Sequence, residues 1–426
     1  MTKRIAIIGT GISGLTSAYL LNKENDIKVY EANDYIGGHT ATKNIVVNNA
    51  HYAIDTGFIV YNEWTYPNFI KLMQTLQVDT QATEMSFSVK NLKTKMEYNG
   101  NTINSLFAQR RNILRPSFWR LVLDIVKFNK LCKAHIAENK ETDNITLQAF
   151  IAQHGLSEIF TQNYILPMCA AIWSTSLEAS ANFPLSFFLK FFNNHGLLNI
   201  TNRPQWFTII GGSNQYVGPL TESFISKISL NDAVKSVVKV ENEFVIVSQK
   251  SQETFDEVIF ACHSDQALRM LSEQAQENID LSAYSDILAA IPYSMNEVVL
   301  HTDTSVLPAR PLAWASWNYE IEGARTEASR PAAVTYNMNI LQCLKSDTTF
   351  CVTLNNTQAI SPDKILGTYH YAHPQFSPKM VKAQERRDEI CGKEGIHFCG
   401  AYWYNGFHED GVRSALDVCK RFGVSL

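Results

Sequence analysis

At the start of the chain, the pattern of apolar residues is that of a strand, then that of a helix, then that of a second strand. Residues 4–9 form an apolar run that ends in glycine, which is typical of a strand buried on both faces of a parallel sheet. Apolar residues then recur at helical spacing over 12–23, and residues 27–31 have the pattern of a second strand. The pattern therefore predicts a βαβ unit.

The remaining pattern separates a helical middle from strands on either side. Strand-like patterns cover residues 85–103, 233–261, 293–302, 332–356 and 396–400, and helical patterns cover residues 66–76, 105–200 and 411–422. Asn99-Gly100 predicts the turn of the first hairpin, and Asp410 predicts the N-cap of the last helix. Because strands flank the helical stretch, we expect one domain to be assembled from discontinuous segments.

A glycine-rich turn joins the first strand to the first helix. In the run 9–14, Gly9 permits the tight turn, Gly11 lets the backbone approach a pyrophosphate, and Gly14 lets the helix pack on the sheet. The free N–H groups at the helix start favour bound negative charge. Glu31 ends the second strand, where a carboxylate accepts from a ribose 2′-OH. The context favours a dinucleotide site over a plain glycine turn beside a surface glutamate.

A second glycine pair follows the ribose carboxylate. The spacing from Glu31 to Gly37-Gly38 resembles the FAD-binding N-terminus of the flavin-containing amine oxidoreductase family. The resemblance implies FAD as the cofactor. The family usually has arginine where this chain has His39, and a histidine makes a weaker, pH-dependent phosphate contact.

The resemblance extends to the end of the chain. The run 55–57 is similar to the loop beside the isoalloxazine ring, the run 211–213 to the start of the helix that returns to the FAD domain, and Val234 to the adenine-binding strand. The runs 398–401 and 411–412 resemble the closing motif, whose helix directs its N-terminus at the flavin N1–C2=O edge. The cofactor-binding residues implied are Gly9, Gly11, Ile12, Ser13, Gly14, Glu31, Ala32, Gly38, His39, Thr40, Thr56, Gly57, Val234, Gly400, His408, Gly411 and Val412.

The family likeness also implies an architecture. We expect an α/β fold with a Rossmann-like FAD-binding domain built from discontinuous segments and an amine-oxidase-like α+β substrate domain. The FAD-binding domain would comprise residues 1–84, 205–265 and 390–426, and the substrate domain residues 85–204 and 266–389.

Two positions depart from true amine oxidases. The family lysine near flavin N5 corresponds to Asn296, and no lysine occurs between Lys250 and Lys345. Phe407 replaces the usual tyrosine of the aromatic cage. His408 and the two acids after it form either an acid/base group or only a cap and turn. The catalytic candidates are therefore Asn296, Phe407 and His408.

The stretch 400–411 resembles a bacterial subgroup of predicted NAD/FAD-binding proteins often associated with cyclopropane-fatty-acid synthase. This likeness implies an FAD-dependent oxidoreductase that transfers hydride from a substrate C–H to flavin N5 and acts on unsaturated or modified fatty acyl chains. The alternatives are an amine or amino-acid oxidase, a redox-neutral FAD-dependent isomerase, or a non-catalytic FAD-binding partner of a lipid-modifying enzyme.

Charge and cysteine usage limit the other partners. The net charge of −4 argues against a nucleic-acid coat, and eight scattered cysteines without a CxxC pair indicate reduced thiols and no metal site. We expect a cytoplasmic protein without signal peptide or membrane span. Residues 86–135 carry ten Lys or Arg and two acids among aromatic residues. This stretch predicts a peripheral membrane or acyl-carrier contact, or else a solvated helical face.

Overall fold

The structure, a computed structural model, describes residues 2–138, 145–273, 280–321 and 332–426. The strands are β1 (Arg4–Ile8), β2 (Asp26–Tyr30), β3 (Thr42–Val47), β4 (Ala50–Asp55), β5 (Val60–Asn62), β6 (Thr80–Thr83), β7 (Phe87–Asn91), β8 (Met96–Asn99), β9 (Trp206–Ile209), β10 (Ile228–Ser229), β11 (Val234–Val240), β12 (Glu243–Ser248), β13 (Gln252–Phe255), β14 (Glu257–Phe260), β15 (Tyr293–His301), β16 (Trp317–Ile321), β17 (Val334–Asn337), β18 (Cys351–Leu354), β19 (Ile365–Pro374) and β20 (Ile396–Phe398). The helices are α1 (Ile12–Leu21), α2 (Pro67–Thr75), α3 (Ile103–Leu106), α4 (Pro116–Ala137), α5 (Leu147–Gln153), α6 (Glu158–Phe160), α7 (Leu166–Trp173), α8 (Leu177–Ala181), α9 (Leu185–Asn194), α10 (Val217–Thr221), α11 (Ser264–Ser272), α12 (Ser282–Leu288), α13 (Met338–Leu341), α14 (Pro378–Glu385) and α15 (His408–Arg421).

A parallel five-stranded sheet brings together the start, middle and end of the chain. Its order is β10-β2-β1-β14-β20, and Ile7 of β1 pairs with Val29 on one side and Ile259 on the other. These three side chains are fully buried. Helix α1 packs on β1 and β2, and the antiparallel sheet β11-β12-β13 also contacts the parallel sheet through β12 and β13. The apolar run at residues 4–9 is thus explained by a central parallel strand.

The second sheet is mixed and has the order β19-β15-β18-β17-β16-β7-β8. Its strands pair antiparallel except β16 and β7, which run parallel. Helices α4 to α9 contribute many aromatic side chains to the hydrophobic core on this side. The predicted α/β class is confirmed. The domain boundaries stay a prediction, and residues 139–144, 274–279 and 322–331 of the predicted substrate segments lie outside the described residues.

Two local expectations were wrong. The first hairpin turns between Asn91 and Met96, not at Asn99-Gly100, because Asn99 pairs with Ser88 inside the ladder. The last helix begins at His408 and not after Asp410. The Asp410 carboxylate still caps this helix, but from its third position, by accepting the N–H of Phe407 at 2.9 Å.

No helix within the described ranges is both long and apolar enough to cross a membrane.

Candidate functional site

The glycine turn after β1 leaves open space only in front of Gly11. A Cβ on Gly14 would lie 2.0 Å from the carbonyl oxygen of Gly9, and a Cβ on Gly9 would lie 2.8 Å from that of Ala261. Gly9 also has φ +111°, which favours glycine. In contrast, a Cβ on Gly11 would meet no protein atom within 4 Å. Two glycines therefore serve close packing, and the third faces space that a ligand can take.

The start of α1 is prepared for an anion. Gly11 is its N-cap and supplies no capping side chain, and the first turn has no acid. The N–H groups of Ile12 and Ser13 have no partner within the helix by its geometry, and the helix dipole favours negative charge there. This is where the predicted pyrophosphate contact would lie.

Glu31 is fixed at the end of β2 beside the turn. Its carboxylate accepts the N–H of Thr10 at 3.0 Å, and also the Thr10 hydroxyl. It further accepts the backbone N–H and side-chain amide of Asn33 at 2.9 and 2.8 Å. A ribose hydroxyl can bind Glu31 by taking the place of one of the two side-chain donors. Ala32, between Glu31 and Asn33 in the sequence, is exposed.

Val234 is the first residue of β11. Two residues before it, the N–H of Asp232 donates to the carbonyl oxygen of Glu31 at 2.8 Å. The structure therefore places the predicted adenine-binding and ribose-binding positions next to each other.

The second glycine pair meets the first turn. Gly38 has φ +57°, and a Cβ there would lie 3.3 Å from the Cα of Gly11. Thr40 follows and contacts His408 Nε2 through its hydroxyl at 3.1 Å. A Cβ on Gly57 would lie 2.2 Å from the carbonyl oxygen of His39, so the loop after β4 packs directly on this segment.

Asp55 ties the loop after β4 to distant segments. Its buried carboxylate accepts the N–H of Ser213 at 2.9 Å, the Thr42 hydroxyl at 2.6 Å and the Gln342 amide at 3.0 Å. Burial raises the pKa of Asp55 to about 6, although these hydrogen bonds oppose the shift. The next residue, Thr56, contacts the hydroxyl of Tyr371 at 2.8 Å. Asp55 therefore holds the predicted flavin-side loop in place.

The last helix starts beside the first one. A Cβ on Gly411 would lie 2.5 Å from Ile12 Cγ2, and Val412 is fully buried. The N–H of Gly400, just after β20, donates to Ser414 Oγ at 2.8 Å, which holds the loop against α15. The N-termini of α1 and α15 are thus neighbours, as a cofactor stretched between them requires.

His408, Glu409 and Asp410 have structural partners. The His408 ring stacks on Phe58 at 3.7 Å, and burial lowers its pKa to about 3. Glu409 accepts the N–H of Phe69 at 2.8 Å and thereby caps α2. Asp410 caps α15, and burial raises its pKa to about 7. These contacts favour the cap-and-turn interpretation; the catalytic role of His408 stays a prediction.

Three imidazoles from distant segments lie around the second glycine pair. The His39 ring centroid is 5.5 Å from that of His373 and 6.3 Å from that of His263. Burial, reinforced by the two neighbouring rings, lowers the pKa of His39 well below its usual value. Each of the three residues is partly buried. Sequence reasoning missed His263 and His373 as site residues; the one local signal was the position of His263 just after a predicted strand.

Asn296 lies on β15 and is fully buried. Its amide lies 3.2 Å from His373 Nδ1, and its carbonyl accepts from Asn355 at 2.8 Å. Asn296 is thus connected through His373 to His39 and the glycine loops. The position matched to the family lysine holds a neutral, hydrogen-bonded amide.

Phe407 faces an aromatic wall where the two hydrophobic cores meet. Its ring stacks on Phe191 at 5.4 Å, and Phe376 stacks on Phe187 at 5.2 Å. His195 lies beside Phe407, and burial lowers its pKa to about 4. This part of the site is apolar and uncharged at neutral pH.

The residues present fit FAD. The open side of Gly11 and the uncapped start of α1 lie next to the start of α15, and Gly38 packs closely on the Gly11 backbone. Only at Gly11 within the first turn does the absent side chain leave space that a ligand can take.

Comparisons with known proteins agree with this geometry. The model of the flavin containing amine oxidoreductase family matches residues 12–327. No curated protein sequence matches the chain. Among solved structures, a fatty acid isomerase from P. acnes that produces CLA has a TM-score of 0.68 at 13% identity and covers 99% of this chain and 98% of its own. Cyclohexylamine oxidase from Brevibacterium oxydans has a TM-score of 0.66 at 14% identity, with coverage of 99% and 100%. Putrescine oxidase bound to putrescine has a TM-score of 0.66 at 13% identity, with coverage of 99% for both chains.

The family match covers most of the chain, and the fold likeness covers nearly all of it. The chain therefore belongs to the flavin-containing amine oxidoreductase family and is an FAD-dependent oxidoreductase.

Proposed function

We propose that this oxidoreductase acts on an apolar, uncharged substrate, an unsaturated or modified fatty acyl chain, and forms a new carbon–carbon double bond. The observations that carry the proposal are the neutral, hydrogen-bonded amide of Asn296 and the aromatic wall at Phe407. The two acids that follow Phe407 serve as helix caps: Asp410 accepts the N–H of Phe407 itself, and Glu409 accepts the N–H of Phe69. A substrate ammonium at Phe407 would have to compete with these caps for a counter-charge.

The residues of the site contribute apolar contact surface and exclusion of water, and few charges. The wall formed by Phe191, Phe376 and Phe407 can hold an acyl chain by apolar contact and keep water out. The hydrogen bonds from Asn355 and to His373 fix the Asn296 amide. When bound, FAD would supply the two-electron acceptor for a hydride taken from a substrate C–H. The proton released from the neighbouring carbon would pass to a neutral imidazole of the site, such as His373 beside Asn296. Because a saturated acyl C–H is poorly activated, we infer an allylic position beside an existing double bond.

A second candidate is a redox-neutral isomerisation of the same substrate class. The fold likeness to a fatty acid isomerase supports it, because that protein also acts on an acyl chain. The likeness to two amine oxidases supports an amine substrate, which the neutral amide of Asn296 disfavours.

Anaerobic mixing of the holoprotein with monounsaturated phospholipid separates these functions. We expect the visible flavin absorbance to bleach while a diene forms in the lipid. The diene is detected by mass spectrometry of the acyl chains. An isomerised product formed without net bleaching would favour the second candidate. Rapid peroxide production from a panel of simple amines would overturn the proposal.

A further inference from the structure

Exposed apolar side chains are concentrated in one short segment. Six of the sixteen large hydrophobic residues that are exposed within the described ranges lie between positions 103 and 126. They are Ile103, Ile113, Leu114, Trp119, Leu123 and Val126. Leu114 is 86% exposed, Ile103 80% and Leu123 62%. Such a concentration marks an interaction surface, whereas scattered single residues would not.

Helix α4 carries apolar residues on two faces. Its inner face packs into the core through buried residues such as Phe118, Leu121 and Phe128. Trp119 and Leu123 are four residues apart, and Val126 follows three later, so they share a stripe on the outer face. The inner face is therefore buried in the core, whereas the outer stripe is exposed to solvent.

The single helical turn before α4, Arg110–Leu114, lies next to this stripe. The indole N–H of Trp119 donates to the carbonyl oxygen of Ile113 at 2.8 Å, and its ring lies 5.4 Å from that of Phe107. The N–H of Phe107 in turn donates to the carbonyl oxygen of Ile103. These contacts place the segment that carries Ile103, Ile113 and Leu114 beside Trp119 at the start of α4. We call the surface formed by residues 103–133 the α4 face.

The α4 face is also strongly basic. Its residues include seven Lys or Arg and one Asp, a formal charge of +6 in a protein of net −4. The single acid, Asp124, is buried and accepts from Arg120 and Ser157. Lys127, Lys130 and Lys133 are exposed and continue the helix beyond Val126. The apolar stripe is therefore followed along the same helix by cations.

We propose that the α4 face binds the surface of an anionic lipid bilayer. Leu114, Leu123 and Ile103 enter the acyl region, Trp119 lies at the headgroup level, and the lysines and arginines contact lipid phosphates. Apolar residues flanked by Lys and Arg are the pattern of an interfacial helix. An acidic protein partner would match the charges but would also need an apolar groove for six projecting side chains. A bilayer satisfies both demands, and this docking does not depend on the flavin chemistry.

Co-sedimentation of the FAD-loaded protein with vesicles tests the proposal. We expect binding to vesicles of phosphatidylcholine and phosphatidylglycerol in equal parts that is at least about tenfold tighter than to phosphatidylcholine alone, and that weakens with salt. The variant L114S/L123S should lose at least about tenfold in binding while keeping its flavin absorbance, since both side chains are exposed.

A control variant, V46S/I225S, removes two exposed apolar residues elsewhere, 60% and 51% exposed, and should bind as wild type does. Equal binding of L114S/L123S and wild type to anionic vesicles would overturn the proposal. So would the absence of vesicle binding, including the case in which an acidic carrier protein binds instead. Because no turnover is measured, failure here is distinct from failure of the proposed function.

Discussion

The substitution Gly11→Ala separates the cofactor site from the fold. At Gly11 the backbone has φ −63° and ψ 172°, which alanine adopts freely, and a Cβ would touch no protein atom. We therefore expect the FAD-free variant to differ from FAD-free wild type by less than about 1 kcal/mol in the free energy of unfolding. The new methyl group would instead occupy the open space in front of Gly11, where the pyrophosphate is expected to bind.

The expected loss is in FAD affinity. If the methyl group removes one hydrogen bond between the backbone and the charged pyrophosphate, binding weakens by about 1.5–3 kcal/mol, which is a loss of affinity of about 10- to 100-fold. Gly14→Ala should behave differently. Its Cβ would lie 2.0 Å from the Gly9 carbonyl oxygen, so the backbone must move, and the FAD-free protein should lose about 1–3 kcal/mol or more.

The assay compares FAD-free proteins titrated with FAD by flavin fluorescence and unfolded in urea. Gly218→Ala is the matched control, because a Cβ there also meets no protein atom, and it lies in α10. Gly218→Ala should keep wild-type affinity. If Gly11→Ala also binds FAD with wild-type affinity, the placement of the pyrophosphate at this turn is wrong.

Three further outcomes are expected. Asn296→Ala removes the acceptor of Asn355 and should lower the free energy of unfolding in urea by about 1–3 kcal/mol; an unchanged value would contradict the buried contact. Glu409→Ala removes the cap on Phe69 and should cost about 1–2 kcal/mol, with Glu409→Gln costing less; equal costs would exclude a cap. The pKa of Asp55 is raised to about 6 in the folded state, so between about pH 4 and about pH 6 the folded protein holds a proton on Asp55 that the unfolded chain has lost. The free energy of unfolding should therefore fall by about 3 kcal/mol as pH rises through this range. Urea unfolding across that range should show a flatter pH profile for Asp55→Asn; an identical profile would refute the assignment.

Elements whose signals are local could be predicted from the sequence. The βαβ unit and the turn at residues 9–14 depend on sterics within a few residues, so the apolar run and the glycine spacing were sufficient. The hairpin turn was placed wrongly because β7 and β8 are joined at the Asn91–Met96 end of their ladder, whereas Asn99 ends β8 at the opposite end, where it pairs with Ser88. Which turn signal closes a hairpin depends on the strand pairing, which the local pattern does not contain.

By itself the sequence determined the α/β class, the glycine cradle and, through family likeness, FAD. Only the tertiary structure decided that His39, His263 and His373 meet, and that Asn296 joins them. This group exists because β19 pairs with β15 and because β14 ends beside the first turn. Segments hundreds of residues apart come into contact through burial and strand pairing, and no periodicity within either segment records which partner it will find.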